Sequence, residues 1–82
     1  MSKVRVEVHL YASFKNYLPE KGTGNSCILE VEEGATIEKV LSQLNIPPQM
    51  PKVIFRNGIH AAENEILKDG DRLGAFPPVA GG

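Results

Sequence analysis

The 82-residue chain has a single cysteine, no tryptophan, and an aromatic fraction of only 6%. One cysteine cannot form an intrachain disulfide. A disulfide-stapled secreted mini-protein is therefore excluded, and a reducing, cytoplasmic setting is expected. Long apolar runs are also missing. None approaches the roughly 18 to 20 residues needed to span a bilayer, so no membrane partner is expected. The opening MSKVRVEVHL alternates charge with valine and does not read as a signal peptide. Neither sign of charge dominates. Lys+Arg is 9 and Asp+Glu is 10, giving a net charge of −1 and a pI near 6.1. Without a positive excess, nucleic acid is not an expected partner.

The scarce reactive residues are also poorly placed for chemistry. His9 and His60 are the only histidines, and neither has a ligand at metal-site spacing. No metal site is expected. Cys27 stands in a strand-like run beside Leu29 and reads as a small buried hydrophobe. Ser13, Ser26 and Ser42 have no adjacent histidine to activate them. Glu30, Glu32 and Glu33 read as a solvated acidic edge rather than an acid/base pair. Gly22 and Gly24 lack the Gly-Lys-Ser/Thr that completes a phosphate loop. So small a chain has little room for an enclosed active site, and none is visible.

What is present is a regular alternation of elements. Val4, Val6, Val8 and Leu10 alternate with Lys3, Arg5, Glu7 and His9, which predicts a half-buried strand. Tyr11, Phe14 and Leu18 suit a short helix that Pro19 stops. PEKGTGNS reads as an exposed loop. Residues 26–32 form a second strand, with Cys27, Leu29 and Val31 on one face and Ile28, Glu30 and Glu32 on the other. It is expected to pair with the first strand in hairpin fashion. Residues 36–45 are the main helix: Thr36 caps it, Ile37, Val40, Leu41 and Leu44 make its apolar stripe, and Asn45 precedes Pro47-Pro48. Residues 52–56 make a third strand before the tight turn Asn57-Gly58. A short edge strand follows near 59–61, and the last strand covers 72–76. The expected architecture is α+β: a small mixed sheet of four to five strands packed on one main helix. The expected organisation is one domain over 1–76 and an extended tail over 77–82.

The tail ends in Gly81-Gly82. At a background glycine usage near 7%, such an ending arises by chance in about 0.5% of chains, so it invites a chemical explanation beside that of a frayed terminus. A terminal glycine carboxylate is unhindered, and its backbone fits a narrow channel. It can attack the α-phosphate of ATP to give a mixed anhydride, which a sulfur or nitrogen nucleophile then opens. Four to six extended residues reach roughly 13 to 20 Å, and Pro77-Pro78 stiffen the base.

The segment Leu67 to Gly82, LKDGDRLGAFPPVAGG, resembles the C-terminal signature of the MoaD/ThiS family of sulfur-carrier proteins. Phe-Pro-Pro-Val-x-Gly-Gly at the end is similar to the MoaD type in particular. The resemblance implies the ubiquitin-like β-grasp fold. It implies that a ubiquitin-activating-enzyme-like adenylyltransferase activates Gly82 with ATP, and that a sulfur donor converts it to a thiocarboxylate. It further implies delivery of that sulfur to a pterin precursor, for the molybdopterin or tungstopterin dithiolene, within a complex with a larger synthase subunit. The chain itself is then no enzyme and binds no cofactor. Carried onto this sequence, Gly82 is the reacting residue, Gly81 keeps the tail thin, and Phe76, Pro77, Pro78, Val79 and Ala80 line the partner's tunnel. MoaD proteins often have a large apolar residue where Ala75 stands here.

Strand phase adds a further expectation. If Val53, Phe55, Leu73 and Ala75 face the helix, then Ile28, Ile54 and Phe76 form an exposed apolar patch for a partner. Three other functions stay open from the sequence. The same tail could make the chain a ubiquitin-like modifier joined through Gly82 to lysines. It could donate sulfur for thiazole or cysteine synthesis. The chain could also be a plain interaction domain.

Overall fold

The computed structural model describes residues 2–19 and 24–78. Part of the predicted 19–26 loop, and Val79, Ala80, Gly81 and Gly82 of the predicted tail, lie outside the described residues.

The valine alternation produces β1 over Lys3–Leu10, with Val6, Val8 and Leu10 fully buried. The predicted short helix is a tighter 3-10 turn over Ala12–Tyr17, and of its residues only Phe14 is buried. β2 covers Ser26–Glu32 and pairs antiparallel with β1, from Lys3 opposite Glu32 to His9 opposite Ser26. The main helix, α1, spans Ile37–Gln43. Its first turn is capped as expected: the Lys39 N–H donates to Thr36 Oγ1 at 3.2 Å. The Ile37 and Glu38 N–H groups donate to the carbonyls of Glu65 and Glu63. At the other end Asn45 takes a positive φ of 68°, and the Ile46 N–H returns to the Leu41 carbonyl at 3.1 Å. Ile37, Val40, Leu41 and Leu44 are all buried. Each such side chain contributes about 1.5–3 kcal/mol relative to exposure.

β3 (Val53–Arg56), the two-residue β4 (Ile59–His60) and β5 (Arg72–Phe76) complete the sheet. Asn57 and Gly58 both have positive φ, as the tight turn between β3 and β4 requires. The strand order is β2-β1-β5-β3-β4. β5 lies in the centre, parallel to β1 and antiparallel to β3. This mixed sheet grasping one helix is the ubiquitin-like β-grasp fold. Among the described residues, no helix is long and apolar enough to cross a membrane.

Register against β5 reverses the expected phase of β3. Ile54 pairs with Ala75 and Phe55 with Gly74. Paired residues share a sheet face, and Ala75 is fully buried, so Ile54 faces the core at 4% exposure. Val53 and Phe55 turn to the open face instead, and Ile54 is not part of an exposed patch. Ala75 faces the same core. A larger side chain there would compete for the space Ile54 occupies.

A buried carboxylate anchors the start of β5. Asp71 is only 8% exposed and accepts from Asn57 Nδ2 at 2.9 Å and from the Lys68 N–H at 2.8 Å. Arg56 lies 3.4 Å away. Burial alone would raise the Asp71 pKa. The hydrogen bonds from Asn57, Lys68 and Arg56, with the Arg56 charge, outweigh it and hold the carboxyl below its ordinary value. Through its carbonyl Asp71 also accepts from the Glu7 N–H at 2.9 Å. β1, β3 and β5 therefore meet at one residue.

Candidate functional site: the tail base and the open sheet face

β5 carries the chain to the tail. Alternation along it sends Leu73 and Ala75 into the core and Arg72, Gly74 and Phe76 to the open face. Phe76 is half-buried, Pro77 likewise, and Pro78 is exposed. The strand ends beside the end of β1, where the Tyr11 N–H donates to the Ala75 carbonyl at 3.1 Å. Ala12 then adopts a positive φ of 53°, a conformation costly for alanine. That bend turns the chain from β1 into the 3-10 turn and leaves Tyr11 on the open side, at 39% exposure.

The rings on this face form a continuous belt. Phe55 and Phe76 stack with centroids 5.6 Å apart and planes 14° from parallel. Tyr11 meets Phe76 edge-on at 5.7 Å, and His9 stacks on Tyr11 at 6.3 Å. On the far side, His60 meets Phe55 edge-on at 5.6 Å. Gly74 is flanked by His9 and Phe55 in the same cross-strand row. With no side chain at Gly74, the rings border an apolar concavity of about 650 Å³ that reaches Pro77. A Cβ on Gly74 would meet Tyr11 Cε2 at 3.7 Å, an ordinary contact, so glycine is not sterically required there. What it provides is depth.

Of the residues expected at a partner surface, the structure places Phe76 and Pro77 at this concavity. Ile28 is on the open face and 60% exposed, but it pairs with Glu7 on β1 and lies away from the belt. Phe55, Tyr11, His9 and His60 are the ring participants that the sequence reading did not place here. The spacing of Tyr11 with Phe14 and Leu18 points instead to a helix stripe. A signal for Phe55 existed in its pairing with a glycine, but that pairing is visible only once strand order is known.

His9 contacts Glu7. Cys27 is buried, and burial raises its thiol pKa. Among the described residues, no group of three or more His, Cys, Asp or Glu side chains is arranged to hold a metal ion. The chemistry available at this end of the molecule is that of an apolar docking face beside an emerging chain segment.

Comparison with known proteins gives this arrangement its context. A protein-family model described as the ThiS family matches residues 14–82. No curated protein matches by sequence. Among solved structures, the HVO 2177 protein of Haloferax volcanii superposes with a TM-score of 0.78 at 25% identity, covering 98% of this chain and 88% of that one. Small archaeal modifier protein 1 of H. volcanii gives 0.74 at 23% identity, covering 93% and 99%. A protein described as molybdopterin converting factor, subunit 1, from Pyrococcus furiosus gives 0.72 at 26% identity, covering 93% and 99%. The family match runs from the 3-10 turn through every later element to Gly82, and these structures share the fold over nearly their whole length. The chain belongs to the ThiS family.

Proposed function

We propose that the chain is a sulfur carrier of the MoaD type. The observation that carries this reading is the family match, which extends through the Gly81-Gly82 ending. In the reaction, a carboxylate oxygen of Gly82 attacks the α-phosphate of ATP on an adenylyltransferase, and pyrophosphate leaves. Hydrosulfide, released by a sulfur donor, then attacks the acyl carbon and AMP leaves, so the product is a thiocarboxylate. The sulfur is next passed to a pterin precursor for a molybdopterin or tungstopterin dithiolene. In this reading the chain is a substrate and small subunit, not a catalyst, and it acts in the cytoplasm. The proposed organisation is one β-grasp domain to residue 76, with residues 77–82 as the reacting tail.

The belt of Phe76, Phe55 and Tyr11 supports such a role. It is an apolar face at the base of the tail, suited to dock on the activating enzyme and on a larger synthase subunit while Val79 and Ala80 enter a tunnel. The resemblance to a molybdopterin converting factor subunit points the same way.

The test uses the full chain with a cognate activating enzyme, ATP and a sulfur donor, and reads intact mass. Replacement of one oxygen by sulfur at Gly82 is the expected result. An unchanged mass with an authentic partner would reject the proposal. A second reading, conjugation through Gly82 to target lysines, is favoured by the likeness to small archaeal modifier protein 1. Lysine-linked adducts resistant to thiol and hydroxylamine would establish it.

A further inference from the structure

The two edges of the sheet are unlike. On one side β4 is only two residues long. On the other, β2 runs for seven residues, without proline and with a continuous register from Glu32 to Ser26. Long, regular edges are normally shortened, bulged or covered, because their backbone groups invite another strand.

The direction of those groups can be read from the ladder. The Leu10 N–H donates to the Asn25 carbonyl at 2.8 Å, and the Glu33 N–H donates to the Ser2 carbonyl at 3.1 Å. Hydrogen-bonded pairs alternate along an antiparallel ladder, so Cys27, Leu29 and Val31 turn their backbone groups to β1. Ile28 and Glu30 turn theirs away from the sheet. Both residues are exposed, and among the described residues no strand lies beyond them.

Side chains select the partner. On the open face the edge presents Ile28, then Glu30 and Glu32, with Glu33 following. A second copy pairing here would crowd its own glutamates against these, which disfavours self-association. A segment carrying lysine or arginine is favoured instead. β1 already displays that chemistry on the inner side of β2: Arg5 stands opposite Glu30 and Lys3 opposite Glu32, with Val4 and Val6 on the core face. On the helix side, half-buried Leu29 lies along β2, and a mixed hollow of about 350 Å³ has Val31 and Ala35 at its wall and Glu30, Glu32, Glu33 and Lys39 at its rim. Its carboxylates extend the acidic rim of the edge, and Leu29 offers the apolar contact for an added strand.

We infer that the outer edge of β2 is a strand-addition site for an extended protein segment that alternates apolar with basic residues. The segment bonds to the backbone of Ile28 and Glu30, sets its cations against Glu30 and Glu32, and lays its apolar side chains beside Leu29. The site lies across β1 from the aromatic belt and does not depend on sulfur transfer through Gly82.

The test titrates the ¹⁵N-labelled full chain with the acetylated, amidated peptide KVRVTV, and with EVEVTV as its acidic counterpart. The expected result is shifted Ile28 and Glu30 amides whose hydrogen exchange slows about tenfold or more at saturation, as for newly bonded edge groups. Cys27 and Leu29, already bonded to β1, keep their protection. The acidic peptide and a KVRVTV peptide N-methylated at alternate residues should not bind. Replacing Glu30 and Glu32 by glutamine (E30Q with E32Q) should weaken KVRVTV about threefold to tenfold, from two cross-strand charge pairs. The inference is overturned if Ile28 and Glu30 exchange unchanged, if both peptides bind equally, or if shifts map to Phe55, Gly74 and Phe76. It is also overturned if the slowing appears with protein concentration alone, which would assign the edge to a second copy.

Discussion

Replacing Ile54 and Phe55 separately by alanine tests the packing of β3 in the sheet. Ile54 is 4% exposed, sits opposite fully buried Ala75, and belongs to the continuous core. Ile54→Ala removes buried methylene and methyl groups and leaves a cavity that Ala75 is too small to fill. Such substitutions cost about 2–5 kcal/mol; near one side of the sheet, where some collapse is possible, about 3 kcal/mol is expected. For a domain of this size each kcal/mol moves Tm by about 4–8 °C, so Tm should fall by about 12–24 °C. Phe55→Ala is different. Phe55 is half-buried, and its losses are the stack on Phe76 and the edge contact with His60. Those amount to about 1–2 kcal/mol. Urea unfolding followed by far-UV circular dichroism measures both. If Phe55→Ala costs more than Ile54→Ala, the phase assigned to β3 is wrong, and with it the aromatic face.

Three further outcomes follow from the packing. Asp71→Asn should cost about 2 kcal/mol, since it weakens hydrogen bonds to a buried charged group. Because the folded pKa of Asp71 lies below its ordinary 3.8, its contribution is complete above that pH. It is lost as pH falls through the folded pKa, so denaturation midpoints of wild type and Asp71→Asn should converge in acid. Cys27 should react with a disulfide reagent far more slowly in the native chain than in urea, because burial hides the thiol and raises its pKa; comparable rates would mean that β2 opens freely. Under the proposed sulfur-carrier function, Phe76→Ala should leave cooperative unfolding intact but raise the KM for adenylation by the proposed activating enzyme about tenfold or more, as loss of a central aromatic does at interfaces; an unchanged KM would remove the belt from that contact.

Much of the fold was legible because its signals are local. The Thr36 cap, the Ile37-Val40-Leu41-Leu44 stripe and the Asn57-Gly58 turn each declare themselves within a few residues, and the structure follows them. The β1 alternation is similarly self-contained. β3 is not. KVIFR is apolar on both faces, so alternation cannot say whether Ile54 or Phe55 goes inside. The pairing of Ile54 with Ala75, across more than twenty residues of chain, decides it. Tyr11 was misplaced for a related reason: its helical spacing with Phe14 is genuine, but the bend at Ala12 separates them. The candidate site was therefore legible at the tail base, in Phe76 and Pro77, and illegible where other strands supply its walls.

That assembly has a consequence for quality control. The belt draws His9 and Tyr11 from the start of the chain, Phe55 and His60 from beyond the helix, and Phe76 from the last strand. β5 can complete it only by inserting between β1 and β3, the most distant pairing in the sheet and a late event on topological grounds. A misfolded or truncated chain can still carry the six-residue tail sequence, but it cannot present the belt. Any partner that reads ring face and tail together therefore certifies a finished fold.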